Sequence, residues 1–252
     1  MLVLASDTTG KSLSVALVKD GRLVGESRFN LGYNHAVTHL PQVMALLDAC
    51  ETSLAEVDLL AVTQGPGSFT GTRIGISSFK AMSYAAHRPL VGVSTLETLA
   101  YPWRLVDHAL ICPLLDARNG RVYATCYRTS GLRSLAEGQP QSPMVQPGNY
   151  QVAEFLLQLA QQVEHEDLLQ TPVLLTGDGA SVALAAHQSQ FSGEDLNLIR
   201  LDPVHDAPSA AAVALLAESY HRAGADGNPF HLNATYLTPS SAERLRKEKS
   251  QP

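Results

Sequence analysis

The 252-residue chain is 45% hydrophobic and 17% charged, with 18 glycines and 14 prolines, so it can build a sizeable core and is not a disordered segment. Twenty-four acidic against 18 basic residues leave a net charge of −6, which argues against unaided coating of a phosphate backbone. Charge this sparse suggests that part of the surface is covered by a partner rather than water. Cys50, Cys112 and Cys126 are odd in number and have no CxxC spacing, which reads as buried free thiols in a reducing compartment. The start is apolar but lacks a positive leader region and reaches Asp7 at once. No apolar run approaches the roughly 18 residues of a membrane span. A soluble, cytoplasmic protein is expected, with no membrane role.

Leu2 to Ser6 reads as a strand ending at Asp7-Thr8-Thr9-Gly10, and Ser12 to Val18 as a second. Asp20-Gly21 signals a hairpin, so Leu23 to Phe29 returns antiparallel. From about His35 to Cys50, Leu40, Val43, Met44 and Leu47 recur at helical spacing, with Asn34 as candidate N-cap. Ser53 to Glu56 has capping-box spacing. Asp58 to Thr63 reads as a strand, then comes Gly65-Pro-Gly-Ser-Phe-Thr-Gly71, then a helix over about Thr72 to Ala86. Pro89 to Val93 is a short strand, and Ser94 is placed to cap a helix over Thr95 to Ala100. The order β-β-β-α-β-α-β-α implies a mixed sheet with helical crossovers, an α/β fold.

A second unit begins near His108. Ala109 to Leu115 is a strand whose Pro113 argues for a bulge or an edge position. Asn119-Gly120 turns the chain into a returning strand from Arg121 to Tyr127. Strand, aspartate, hairpin and strand thus recur, which suggests a duplication. Residues 129–149 read as a loop-rich excursion, Val152 to Leu159 as a helix, and Val173 to Thr176 as a strand leading into Gly177-Asp-Gly. Pro208 to Ala223 is an alanine-rich helix with a small face. The expected organisation is 1–106, then 107–238 with helix 208–223 packing back on the first unit, then a polar tail, 239–252.

The glycine-rich stretch from Gly65 to Gly75 follows a strand and opens a helix. Its amides and Ser68, Thr70, Thr72 and Arg73 could meet an anion, although the spacing is neither GxGxxG nor a Walker loop. A structural turn with tight helix packing stands beside that reading. Asp7, Asp116 and Asp178 each sit at a strand end and could orient hydrated magnesium, or could simply accept loop amides. Arg118 could pair with Asp116 or face a ligand. His35 and His39 share a helix face as a metal half-site without a third ligand, or as a surface or interface pair. No serine elbow or nucleophile-base pair is evident.

Asp7-Thr-Thr9, the whole Gly65–Gly75 motif, Gly92-Val-Ser-Thr-Leu96 and Leu115-Asp-Ala-Arg118 closely resemble the TsaD/TsaB family, once labelled glycoproteases, and within it the YeaZ-type branch. The likeness is dense to about residue 128. Later, Tyr236-Leu237 resembles the family's Tyr-Leu-Arg segment, with Thr238 in the place of arginine. The resemblance implies an actin-like ATPase (ASKHA) fold of two βββαβα-type subdomains. It also implies a role in making threonylcarbamoyladenosine beside the anticodon of tRNAs that read codons beginning with adenine. The implied partners are TsaD, which transfers the threonylcarbamoyl group, and the ATPase TsaE. A homodimer is implied when the chain is alone, with tRNA met through the complex.

TsaD-like proteins carry a His-x-x-x-His metal pair after the strand that corresponds to Pro89–Val93, where this chain reads Ser-Thr-Leu-Glu-Thr-Leu. The resemblance therefore implies no catalytic or metal residue here and no tightly bound cofactor, with ATP or ADP and magnesium confined to the assembled complex. Asp7, Thr8, Thr9, Gly65, Gly67, Ser68, Thr70, Asp116, Arg118, Gly177 and Asp178 remain candidate nucleotide or anion contacts. The helices near His35–Ala49 and Thr72–Ala86 are the implied association surface, with His35, His39, Leu40, Val43, Met44, Leu47, Arg73, Ile76, Phe79 and Lys80 as candidate interface residues. The expected function is that of a non-catalytic activator of TsaD. A nucleotide-dependent enzyme of the actin-like superfamily is the alternative, and a peptidase the least supported.

Overall fold

Each half of the chain begins with a β-hairpin whose third strand returns along its edge, and each then adds two parallel strands through helical crossovers. In the first half, β1 (Leu2–Asp7), β2 (Ser12–Lys19), β3 (Arg22–Asn30), β4 (Leu59–Thr63) and β5 (Leu90–Val93) form a sheet of order β3-β2-β1-β4-β5. In the second, β6 (Leu110–Asp116), β7 (Arg121–Arg128), β8 (Val145–Gln151), β9 (Val173–Thr176) and β10 (Leu198–Arg200) repeat that order as β8-β7-β6-β9-β10. In both sheets the hairpin pairs are antiparallel and the crossover pairs parallel. This duplicated arrangement is the actin-like architecture of two subdomains. The computed structural model describes residues 1–30, 32, 34–135, 142–190 and 196–237. Among them, no helix is long and apolar enough to cross a membrane.

Strand alternation decides what packs on each face. Leu4, Leu13, Val15, Leu17, Leu60 and Val62 face a layer made by α1 (His35–Ala49) and α2 (Phe69–Ala86), with Val43, Leu46, Leu47, Ile76 and Phe79 filling it. Val3, Ala5, Ala16, Leu59 and Ala61 point the other way, onto α7 (Ala210–Arg222). Alanines on both sides let this helix lie close to the sheet. The other face of the second sheet is covered by α5 (Val152–His165) and α6 (Ala180–Gln190). Fully buried side chains such as Phe79 and Phe155 each contribute roughly 1.5–3 kcal/mol of transfer free energy.

Helix α3 (Thr95–Ala100) packs against β6, with Leu96, Leu99 and Leu115 in one small cluster. The helices that close the two repeats are therefore exchanged: α7 sits on the first sheet and α3 against the second.

Several expectations need correction. The stretch 129–149 holds α4 (Thr129–Leu135) and most of β8; Pro147 and Gly148 are tolerated because β8 is an edge strand. Helix α6 and β10 escaped the sequence reading. Pro113 lies in β6, the centre of its sheet, not at an edge. Ser53 and Glu56 do form a capping box, on the short turn Leu54–Glu56. Asn34 and Ser94 precede helices without a side-chain cap bond. The expected tail, 239–252, and Thr238 lie outside the described residues.

Candidate functional site: the glycine motif, the first hairpin and the outer helix pair

The end of β1 carries a buried polar knot. Asp7 is fully buried; one carboxylate oxygen accepts from the Thr63 and Thr9 hydroxyls, both at 2.6 Å, and from the Thr9 amide at 3.3 Å. Its other oxygen has no partner among the described residues. Burial pushes the Asp7 carboxyl above the ordinary carboxylate range, against the lowering effect of those hydrogen bonds.

The glycine motif lies on this knot. A Cβ on Gly67 would stand 2.5 Å from the Thr9 carbonyl oxygen, one on Gly71 2.1 Å from that of Thr8, and one on Gly75 2.4 Å from the Thr8 hydroxyl. The glycines at these fourth-residue steps are thus the surface on which α2 meets the Thr8–Thr9 backbone. Hydrogen bonds hold the contact: Ser68 N–H donates to the Thr9 carbonyl at 2.7 Å, and the Thr8 hydroxyl to that of Gly71 at 2.8 Å. Within the helix start, Gly71 N–H donates to the Ser68 hydroxyl and Thr72 N–H to the Ser68 carbonyl. The amides of Ser68, Gly71 and Thr72 are therefore committed internally. Of the two readings of the motif, the geometry favours tight packing and does not fit a phosphate cradle built from these amides. Thr70 is exposed at the helix start, and Gly65 is pressed against the Thr235 carbonyl, as described below.

The second half repeats the logic at the end of β6. Asp116 accepts from the Arg118 amide, and its own amide donates to the Asp178 carboxylate, both at 2.8 Å. Arg118 and Asn119 take positive φ in the turn. Gly177 is pressed on the Leu114 carbonyl, where a Cβ would come within 2.1 Å. Partial burial raises the Asp178 carboxyl above its usual range; the hydrogen bond from the Asp116 amide opposes the shift, the Asp116 charge adds to it, and Lys11 from the first hairpin opposes it more weakly. Among the described residues, no three His, Cys, Asp or Glu side chains gather as a metal site.

His35 and His39 are not on the surface. They are 2% and 1% exposed. His35 Nε2 lies 2.8 Å from the Gly10 carbonyl oxygen, while His39 Nε2 lies 2.8 Å from the Ser6 hydroxyl and its ring stacks on Phe79 at 5.6 Å. Burial, with the neighbouring His35, lowers the His39 pKa to about 4. The pair supports the hairpin from below. Val43, Leu47, Ile76 and Phe79 are likewise buried in the chain's own core and offer nothing to a partner.

The accessible members of the expected surface are Leu40 and Met44, half exposed, with Arg73 exposed and Lys80 partly so. Val37 and Tyr84, 77% and 67% exposed, extend the apolar area and were missed in the sequence. Because α1 carries apolar residues on two faces at helical spacing, sequence alone does not say which face meets the sheet. In α3, directly after β5, Thr95 and Leu99 are buried, and the Thr95 amide donates to the Gly65 carbonyl.

A segment after α7, residues 225–237, runs back along the first half. The Leu90 amide donates to the Gly227 carbonyl and the Thr235 amide to that of Gln64. Gly65 and Gly92 make room: a Cβ would stand 2.5 Å from the Thr235 carbonyl oxygen at the first and 2.3 Å from the Leu232 side chain at the second. The segment brings Phe230 edge-on to Tyr84 at 6.1 Å, and Tyr236 to Phe69 at 5.0 Å.

Comparison with known proteins agrees with this geometry. Residues 31–247 match the family model described as TsaD, tRNA N6-adenosine threonylcarbamoyltransferase. The chain is 38% identical over 128 residues to the tRNA threonylcarbamoyladenosine biosynthesis protein TsaB of Bacillus subtilis, covering 51% of this chain and 56% of that protein. It is 40% identical over 130 residues to its Escherichia coli namesake, covering 51% and 55%. The matches thus span about half the length of these relatives. A Pseudomonas aeruginosa structure described as YeaZ superposes with a TM-score of 0.70 at 23% identity, covering 94% of this chain and 99% of that one, a likeness in fold. With most of its length matching the family model, the chain belongs to the TsaD/TsaB family, and about half of it is similar to TsaB proteins.

Proposed function

We propose that this chain is a non-catalytic partner of a TsaD-type transferase, and that it activates transfer of the threonylcarbamoyl group to the adenosine beside the anticodon of tRNAs reading codons that begin with adenine. The observation that carries this reading is the outward face of α1 and α2. There Val37, Leu40, Met44 and Tyr84 expose apolar surface of the kind that marks protein interfaces. The commitment of the Ser68, Gly71 and Thr72 amides to Thr9 and Ser68 supports the non-catalytic part. In this reading residues 1–106 are the docking unit and 107–238 the more divergent second unit. The chain forms a homodimer through the same face when alone, TsaE joins the assembled complex, and tRNA is bound by the complex. ATP or ADP with magnesium, where the complex takes one, is not held by the Ser68, Gly71 and Thr72 amides.

The test is reconstitution. Transferase, threonylcarbamoyl-adenylate and substrate tRNA are incubated with and without this chain, and modified adenosine is measured. Product that depends on the chain supports the reading; equal product without it refutes activation. One observation favours the alternative, a nucleotide-dependent enzyme: the buried oxygen of Asp7 that has no partner among the described residues, at the strand end that corresponds to Asp116 in the duplicated topology. That alternative requires the isolated chain to hydrolyse ATP and to lose the activity on Asp7→Asn.

A further inference from the structure

Arg73 stands one turn into α2 with its guanidinium carbon 3.8 Å from the centre of the Phe69 ring. Its Nε–H donates to the Tyr236 hydroxyl at 2.8 Å, across 163 residues of sequence. The two rings are themselves in contact, and Tyr236 is delivered by the returning segment, which is anchored on the first sheet at Gln64 and Leu90. One face of the guanidinium and its Nε are therefore engaged. No described residue accepts from the two Nη groups, and the side chain is exposed. An arginine held in this way presents its outer edge as a two-pronged donor at small further entropic cost.

We infer that Arg73 is a preorganised receptor for a carboxylate on the docked protein, with Phe69 and Tyr236 as its positioning residues; this rests on the partner reading above. Charge favours a different protein over a second copy of this chain. Helix α2 carries Arg73 and Lys80 and no acidic residue, while α1 offers only Asp48, in its last turn. Two copies meeting through these helices would bring four cations against two carboxylates. A partner with an aspartate or glutamate on its docking helix answers the excess. A nucleic-acid phosphate is disfavoured because backbone binding needs several cations together. Here the guanidinium is bordered by Phe69 and Tyr236, on a chain of net charge −6.

The experiment measures binding of the full chain to the threonylcarbamoyltransferase of the same organism by calorimetry. Arg73→Ala, Arg73→Lys, Tyr236→Phe and the Arg73→Ala/Tyr236→Phe double variant are compared, each checked by thermal melting. Arg73→Ala should raise Kd about 10- to 100-fold, and Arg73→Lys should stay within about threefold of it, since lysine lacks the fork. Tyr236→Phe keeps the ring and should raise Kd about 3- to 10-fold in the wild-type background, and not at all once Arg73 is gone. Equal Tyr236→Phe effects in both backgrounds, or wild-type affinity for Arg73→Lys, would overturn the inference while leaving the partner reading intact. Failure of the wild-type chain to bind would overturn both. A loss confined to self-association, or to tRNA retention, would assign the fork to a second copy or to phosphate and also overturn it.

Discussion

Gly71→Ala tests whether the glycine motif exists for packing. The added methyl would stand 2.1 Å from the Thr8 carbonyl oxygen and 3.3 Å from the Ser68 side chain. Restoring ordinary contact requires α2 and the Thr8–Thr9 turn to separate by about 1.3 Å. That movement strains or breaks the Thr8-to-Gly71 and Ser68-to-Thr9 hydrogen bonds, worth about 1 kcal/mol each. Overpacking against backbone adds roughly 1–3 kcal/mol, and the better helix propensity of alanine returns about 1 kcal/mol. The expected net loss is about 2–4 kcal/mol, read as a lower urea midpoint at unchanged slope by circular dichroism. Gly10→Ala is the control, its nearest contact being Ser12 N at 3.9 Å, and should stay within about 0.5 kcal/mol. A Gly71→Ala chain as stable as wild type would refute the packing account and return the motif to the anion reading.

Two other expectations concern stability. His39 has a folded-state pKa lowered from 6.5 to about 4, so the unfolded chain takes up its proton first as pH falls. Its contribution is fully present above about pH 6.5, falls by about 3 kcal/mol on the way to pH 4, and is flat below that. Asp7, whose pKa is raised, works in the opposite sense at the acid end. The difference between wild type and His39→Asn in a pH series of urea melts therefore isolates His39, and parallel curves would contradict the assignment. Glu26 ties the two halves together, accepting from Ser14 and from Ser209, the residue before α7. Glu26→Ala should cost about 2–3 kcal/mol by urea melt; a change under about 0.5 kcal/mol would mean that these bonds are exchanged for water at no cost.

Local chemistry made much of this legible. The Asp20-Gly21 and Asn119-Gly120 turns, the alternating strands and the repeated strand-aspartate-hairpin unit lead directly to the two sheets. What stayed hidden depends on distant parts of the chain. Strand β8 runs through Pro147 and Gly148, tolerable because no further strand among the described residues pairs with it. Helix α6 mixes alanines with serine, histidine and glutamine and has no clear apolar stripe, so periodicity does not reveal it. The glycine motif announces close approach, but only the position of Thr8 and Thr9 shows what approaches. The burial of Val43 and the exposure of Met44 follow from the side on which the sheet lies. Phe69 and Tyr236 become neighbours of Arg73 only after the chain has returned across the first sheet.

The central claim is that the outward face of α1 and α2 docks a transferase of the same family. Its most direct test is the mass, by light scattering, of this chain mixed with that transferase, for wild type and for Leu40→Glu/Met44→Glu. Both residues are half exposed, so the double variant should fold with a stability change within about 1 kcal/mol. The account expects a defined complex for wild type and two separate proteins for the variant. A complex that survives both charges would place the partner on another face, and no complex for wild type would contradict the docking role itself.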